Sequence, residues 1–174
     1  MSHRDQPLGQ VLRQGDKWGL RYERLLHHPP ERVWRSLTES EDLRHWMPCD
    51  IVGERREGAD IDLVFWPDHV ERYSIEEPVT RGKILTWEPH RVFEWTWDTD
   101  VLRWVLAPVE GGTLLTLTTW LGKDVDIAKD AAAGYHVCLD QLIDLLDEGS
   151  AGPLVDADVQ RWEKEYADAV SKVG

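Results

Sequence analysis

The stretch that decides the fold is Asp126-Ile127-Ala128-Lys129-Asp130-Ala131-Ala132-Ala133-Gly134-Tyr135-His136-Val137-Cys138-Leu139-Asp140-Gln141-Leu142-Ile143-Asp144-Leu145-Leu146-Asp147-Glu148. On a helical wheel Ala128, Ala131, Tyr135, Cys138, Leu139, Leu142 and Leu146 share one face. Asp130, Ala133, Asp140, Gln141 and Asp144 fall opposite and are expected to face solvent. Gly149 suits the position just past the helix, and Gly152-Pro153 prevents continuation. A single long amphipathic helix needs an apolar surface to cover.

That surface lies upstream, in strands set at regular intervals. They are predicted at Ile51 to Arg55, Ala59 to Trp66, Ser74 to Trp87, Arg91 to Trp97, Val101 to Pro108 and Thr113 to Leu121. Links such as Glu88-Pro89-His90, Asp98-Thr99-Asp100 and Glu110-Gly111-Gly112 are hairpin connections, so an antiparallel meander is expected. Phe93, Trp95 and Trp97 face one way and Glu94 and Thr96 the other. In the next strand Leu102, Trp104 and Leu106 alternate against Arg103.

Further upstream, Trp18 to His27 alternates as a first strand. Pro30 or Glu31 opens a short helix carrying Val33, Trp34 and Leu37. Ser40 is expected to cap a second, with Leu43 and Trp46 on one face and Pro48 ending it. Residues 1–16 read as a flexible arm and 17–149 as the domain. Residues 150–174 read as a helical appendage, with Val159, Trp162, Tyr166 and Val170 turned onto the domain.

Bulk properties narrow the function classes. A chain of 174 residues with 41% hydrophobic and 30% charged residues is globular in composition and fits one domain. A net charge of −13 argues against nucleic acid and anionic membrane surfaces, since both need clustered Lys and Arg. Cys49 and Cys138 are far apart, and no apolar leader or spanning stretch is visible. A cytoplasmic protein with two free thiols is expected.

The order strand, two short helices, six strands, long helix resembles the α+β helix-grip fold of START-like and birch-pollen-allergen-like proteins. Particular runs narrow the resemblance. Pro30-Glu31-Arg32-Val33-Trp34-Arg35-Ser36-Leu37-Thr38, with Leu43 and Trp46, is similar to the opening of the family named for the activator of heat-shock protein 90 ATPase. Gly82-Lys83-Ile84-Leu85 leading to Pro89-His90-Arg91-Val92-Phe93-Glu94-Trp95 resembles its central hairpin. Gly111-Gly112-Thr113-Leu114-Leu115-Thr116-Leu117-Thr118 resembles its last strand, and Gly134-Tyr135 stands where the family has Gly-Trp. The resemblance spans roughly residues 18 to 170. It implies a curved antiparallel sheet gripping the long helix, and it admits a stress-response role. A counterpart of the co-chaperone's separate N-terminal domain is not seen, so chaperone activation is not the expectation.

Catalytic signatures are thin. His27 and His28 are adjacent and point to opposite strand faces. His45, His69, His90 and His136 form neither an i, i+4 pair nor HExxH, so neither a metal nor a cofactor is expected. No GxSxG, GxxxxGK[ST] or GxGxxG occurs. Cys138 reads as a packed thiol, with His136 about 200° round the helix from it. Glu94 reads as outward and solvated, and His136 as flanking the cavity face.

The ten Trp remain. Trp87, Phe93, Trp95, Trp97, Trp104, Tyr135, Cys138 and Leu142 are the expected wall of a cavity between sheet and helix. The competing expectation is a solid Trp-rich core. Three functional readings stay open: binding of a small hydrophobic or aromatic molecule; a polyketide cyclase or dehydrase using the same cavity; and a chaperone-associated or regulatory module that binds a protein partner through its surface. Homodimerisation is left open as well.

Overall fold

Prolines and two-residue turns cut the chain into thirteen elements in a computed structural model, which describes residues 6–173. Strand β1 (Gln10–Gln14) turns back into β2 (Lys17–Leu26), followed by helices α1 (Pro30–Thr38) and α2 (Ser40–Trp46). Then come β3 (Cys49–Val52), β4 (Asp60–Phe65), α3 (Pro67–Tyr73) and β5 (Val79–Glu88). Strands β6 (Val92–Trp97), β7 (Asp100–Val109) and β8 (Gly112–Trp120) lead to α4 (Val125–Glu148) and α5 (Asp156–Val173). All eight strands form one antiparallel sheet in the order β1-β2-β8-β7-β6-β5-β4-β3. Only the β2–β8 pairing departs from a meander.

Curvature has identifiable causes. The β5–β6 register shifts between Ile84 and Thr86, a bulge that leaves Leu85 outward. At Gly82 a Cβ would stand 1.9 Å from the Thr96 carbonyl oxygen, so only glycine lets β5 approach β6 so closely. The concave face carries Leu20, Tyr22, Phe93, Trp95, Leu102, Trp104, Leu115 and Leu117, all buried. Across it lies α4, whose first turn is capped by the Asp124 carboxylate accepting from the Asp126 and Ile127 N–H groups at 2.9 and 3.3 Å. It ends at Gly149 with φ 85°, as expected of a residue in the left-handed region.

Four expectations need correction. The flexible arm is a strand from Gln10 to Gln14, and only residues 1–5 of it lie outside the described residues. Ser40 is the first helical residue of α2 and not its cap; its hydroxyl donates to Asp50 Oδ1 at 2.6 Å. Residues 67–73 are helix α3, so the strand expected from Ser74 begins at Val79. Helix α3 buries no residue, which is why its period is weak in the sequence.

The fourth correction concerns α4. Ala133 and Asp140, expected in solvent, are 1% and 8% exposed, and His136 is fully buried. Helix α5 covers that face with Trp162, Tyr166 and Val170. Helix α4 is thus enclosed between sheet and α5.

Candidate functional site

A cleft of about 500 Å³ opens beside α4, where the grip is not closed. Its lining includes Pro48 between α2 and β3, Trp97 at the end of β6, and His69 and Tyr73 on α3. Helix α4 contributes Ala131, Gly134, Tyr135 and Cys138, and Leu154 and Val159 close the side towards α5. Arg72 on α3 pairs with the Asp156 carboxylate at the start of α5, tying two walls together. A second hollow of about 330 Å³ shares the Trp97 and Tyr135 walls and is completed by Thr80, Asp98, Thr99 and Asp100.

The eight residues expected to line one cavity separate into two groups. Trp97, Tyr135 and Cys138 meet in the cleft. Trp87, Phe93, Trp95, Trp104 and Leu142 do not border it. An aromatic ladder runs along β5 and β6, with ring centroids 5.3 Å apart for Trp87–Phe93, 6.3 Å for Phe93–Trp95 and 5.9 Å for Trp95–Trp97. Trp34 from α1 packs on Trp87 at 5.0 Å, and Trp46 from α2 meets Trp104 edge-on at 5.5 Å. The two short helices fill the space beneath that part of α4, and Leu142 is fully buried. Side chains therefore fill the space at the Trp104 end, and the cleft opens at the Trp97 end.

Sequence reasoning missed His69, Tyr73, Leu154 and Val159. The first two sit on unrecognised α3. Pro67, tolerated in a first helical turn, was the available signal. Leu154 belongs to an irregular connection, whose course no periodicity reports.

Burial favours the uncharged forms of Tyr135, Cys138 and His69 in the cleft. Burial pushes the Cys138 thiol up to about 12, so it holds its proton at neutral pH. Burial likewise raises the Cys49 thiol, and both cysteines are free. The Tyr135 phenol is raised, first by burial and then by the nearby Asp100 carboxylate. His69 is lowered by burial. Among the described residues no group of three His, Cys, Asp or Glu is placed to hold a metal ion.

His136 belongs elsewhere. Its ring stacks against Trp162 at 3.8 Å, on the α5 side of α4. The Tyr166 hydroxyl accepts from the Gly9 N–H at 2.7 Å, which leaves its own proton for His136 Nδ1, also at 2.7 Å. Arg24 Nη2 stands 3.5 Å from the same nitrogen. Nε2 then carries the ring proton and lies 3.8 Å from Asp140 Oδ2. Burial, aided by Arg24 and Arg161, lowers His136 to about 3, and burial raises Asp140 to about 7. Glu94 accepts from Thr86 Oγ1 at 2.9 Å and pairs with Arg103 at 3.4 Å on the outer face, half-buried and away from the cleft.

A curved antiparallel sheet, two short helices after its second strand and a long helix across its concave face define a helix-grip, START-like protein. Within that class the chain belongs to the family described as Activator of Hsp90 ATPase homolog 1-like protein, whose model matches residues 27–147, from the end of β2 to the end of α4. No curated protein matches the chain. Among solved structures it is similar to EF2215 from Enterococcus faecalis, a conserved protein of unknown function. That pair has 19% identity and a TM-score of 0.79, covering 95% of this chain and 92% of that one. It is similar to CalU16 from Micromonospora echinospora, at 18% identity and a TM-score of 0.69, over 93% and 95% of the two chains. CV1439 from Chromobacterium violaceum, at 21% identity and a TM-score of 0.62, covers 74% of this chain and 96% of its own. At these identities the likeness is one of fold. With 18 residues, α5 is too long to fall wholly outside a 95% match, so the EF2215 alignment takes in most of it.

Proposed function

We propose that the protein binds a small hydrophobic or aromatic molecule in the cleft between Trp97, Tyr135 and Cys138. The observation that carries this reading is the cleft itself. About 500 Å³ is walled by aromatic and aliphatic side chains, and the aromatic ladder of the core ends there in a half-exposed indole. Concave, mostly apolar sites with few polar groups are the usual places for small ligands. A cyclase or dehydrase reading has less support, because His136, the histidine expected to flank the cavity face, is sealed beneath α5. The strongly acidic balance favours neither nucleic acid nor anionic membranes as partners. Two free thiols fit a cytoplasmic setting.

The test is a titration with Nile red, a neutral apolar dye, followed by fluorescence. One site with a Kd on the order of micromolar is expected. Cys138→Phe fills the cleft with a ring, and should weaken binding at least about tenfold while the far-ultraviolet circular dichroism is unchanged. Equal affinity in parent and Cys138→Phe would overturn the assignment.

A further inference from the structure

The smaller hollow, which shares the Trp97 and Tyr135 walls of the cleft, is polar, and the charges that line it are negative. Trp97 and Asp100 are direct partners across the β6–β7 hairpin, joined by the two-residue turn Asp98-Thr99. Directly paired residues project on the same face with their Cβ atoms about 5 Å apart. The indole and the carboxylate therefore stand side by side, facing Tyr135 on α4 across the smaller hollow. Asp98 flanks them, held by its N–H donating to the Arg81 carbonyl at 3.0 Å, with φ 54°. Asp130 and Glu163 are among the residues that line the larger cleft. Among the described residues no Lys or Arg lines either hollow, and Asp100 makes no salt bridge with any of them. A half-buried carboxylate without a counter-charge is a costly feature to retain in a fold.

We propose that the Trp97–Asp100–Tyr135 end recognises a cation, so that the natural ligand is an amphipathic amine whose apolar body fills the cleft. This rests on the cleft being the ligand site and adds the charge of the ligand's head. An ammonium group set between an indole and a phenol is attracted to both ring faces. Asp100 supplies the formal counter-charge. Burial, with Asp98 beside it, lifts the Asp100 carboxyl to about 6, and a bound cation relieves that cost. An anionic ligand would meet Asp98, Asp100, Asp130 and Glu163 with no compensating base. Ligands without charge would leave Asp100 desolvated and unpaired.

The experiment compares three probes of one shape by calorimetry at pH 7.5: naphthylethylamine, naphthylethanol and naphthylacetate. Naphthylethylamine should bind about tenfold more tightly than the alcohol, and the acetate weakest. In Asp100→Asn the advantage of the amine should vanish while alcohol affinity stays within about twofold. Glu110→Gln, in the distant β7–β8 turn, should change nothing. If amine and alcohol compete for one site with equal affinity, the cation assignment fails and the cleft reading stands. An equal loss in Glu110→Gln would also overturn it, by showing that net charge alone attracts the amine. Should none of the three bind at millimolar concentration, both readings fall.

Discussion

His136 and Asp140 sit one helical turn apart on α4, and burial acts on them in opposite senses. Folding lowers His136 from its ordinary value to about 3, so its contribution to stability is complete above about pH 6.5 and is lost as pH falls towards 3. Folding raises Asp140 from the usual carboxylate range to about 7, so its contribution is complete at low pH and is lost as pH rises through 7. Each effect is at most on the order of 5 kcal/mol, and over about pH 4–6.5 they oppose one another. Removing either should unmask the other. Relative to the parent, melting temperature should rise more steeply with pH in Asp140→Asn and less steeply, or fall, in His136→Gln. Calorimetric scans at several pH values check this, and parallel profiles in all three proteins would contradict the buried network. Neither residue's role was legible in the sequence. On a helical wheel Asp140 is indistinguishable from the solvated Asp130, and only the docking of α5 separates them.

Helix α5 determines both that burial and one side of the cleft. Trp162, Tyr166 and Val170 are buried, and each large apolar side chain so removed from water stabilises by about 1.5–3 kcal/mol. Deleting residues 154–174 also strips the cover from His136 and removes Leu154 and Val159 from the cleft. Melting temperature should drop by roughly 10 °C or more, and Nile red binding should weaken with it. An unchanged melting curve would mean that the helix contributes nothing to the domain. The 3.6-residue spacing of Val159, Trp162, Tyr166 and Val170 made this helix readable, because an apolar stripe on a polar segment has to be covered. Helix α3 was not readable for the converse reason: with no buried side chain it leaves no stripe, and its attachments are single polar contacts such as Arg72 with Asp156. Strand β1 escaped likewise, since Gln10-Val11-Leu12-Arg13-Gln14 is a short edge strand with little alternation to read. It is fixed by pairing with β2 and by the Arg13 guanidinium lying 4.1 Å over the Trp18 ring.

At the scale of the whole molecule, the sheet and α4 meet closely where α1 and α2 insert Trp34 and Trp46, and separate where α3 and the α4–α5 connection bridge the gap. The tryptophans of the ladder were visible as alternation along β6, and so was the direction in which they face. Which of them end in packing and which in open space depends on the neighbours that α1, α2 and α3 supply, and no strand periodicity carries that information. The account turns on Trp97 being the end of the ladder that borders the cleft. Fifteen-nitrogen labelling of tryptophan gives one indole N–H resonance for each of the ten Trp, assignable at Trp97 by Trp97→Phe. On titration with naphthylethanol the Trp97 resonance should move along a single saturable curve. Trp18, donating to the Lys123 carbonyl at 3.2 Å, and Trp46, donating to the Ser36 carbonyl at 2.8 Å, should stay in place. A stationary Trp97 while buried indoles move, or shifts that never saturate, would contradict the cleft as the binding site.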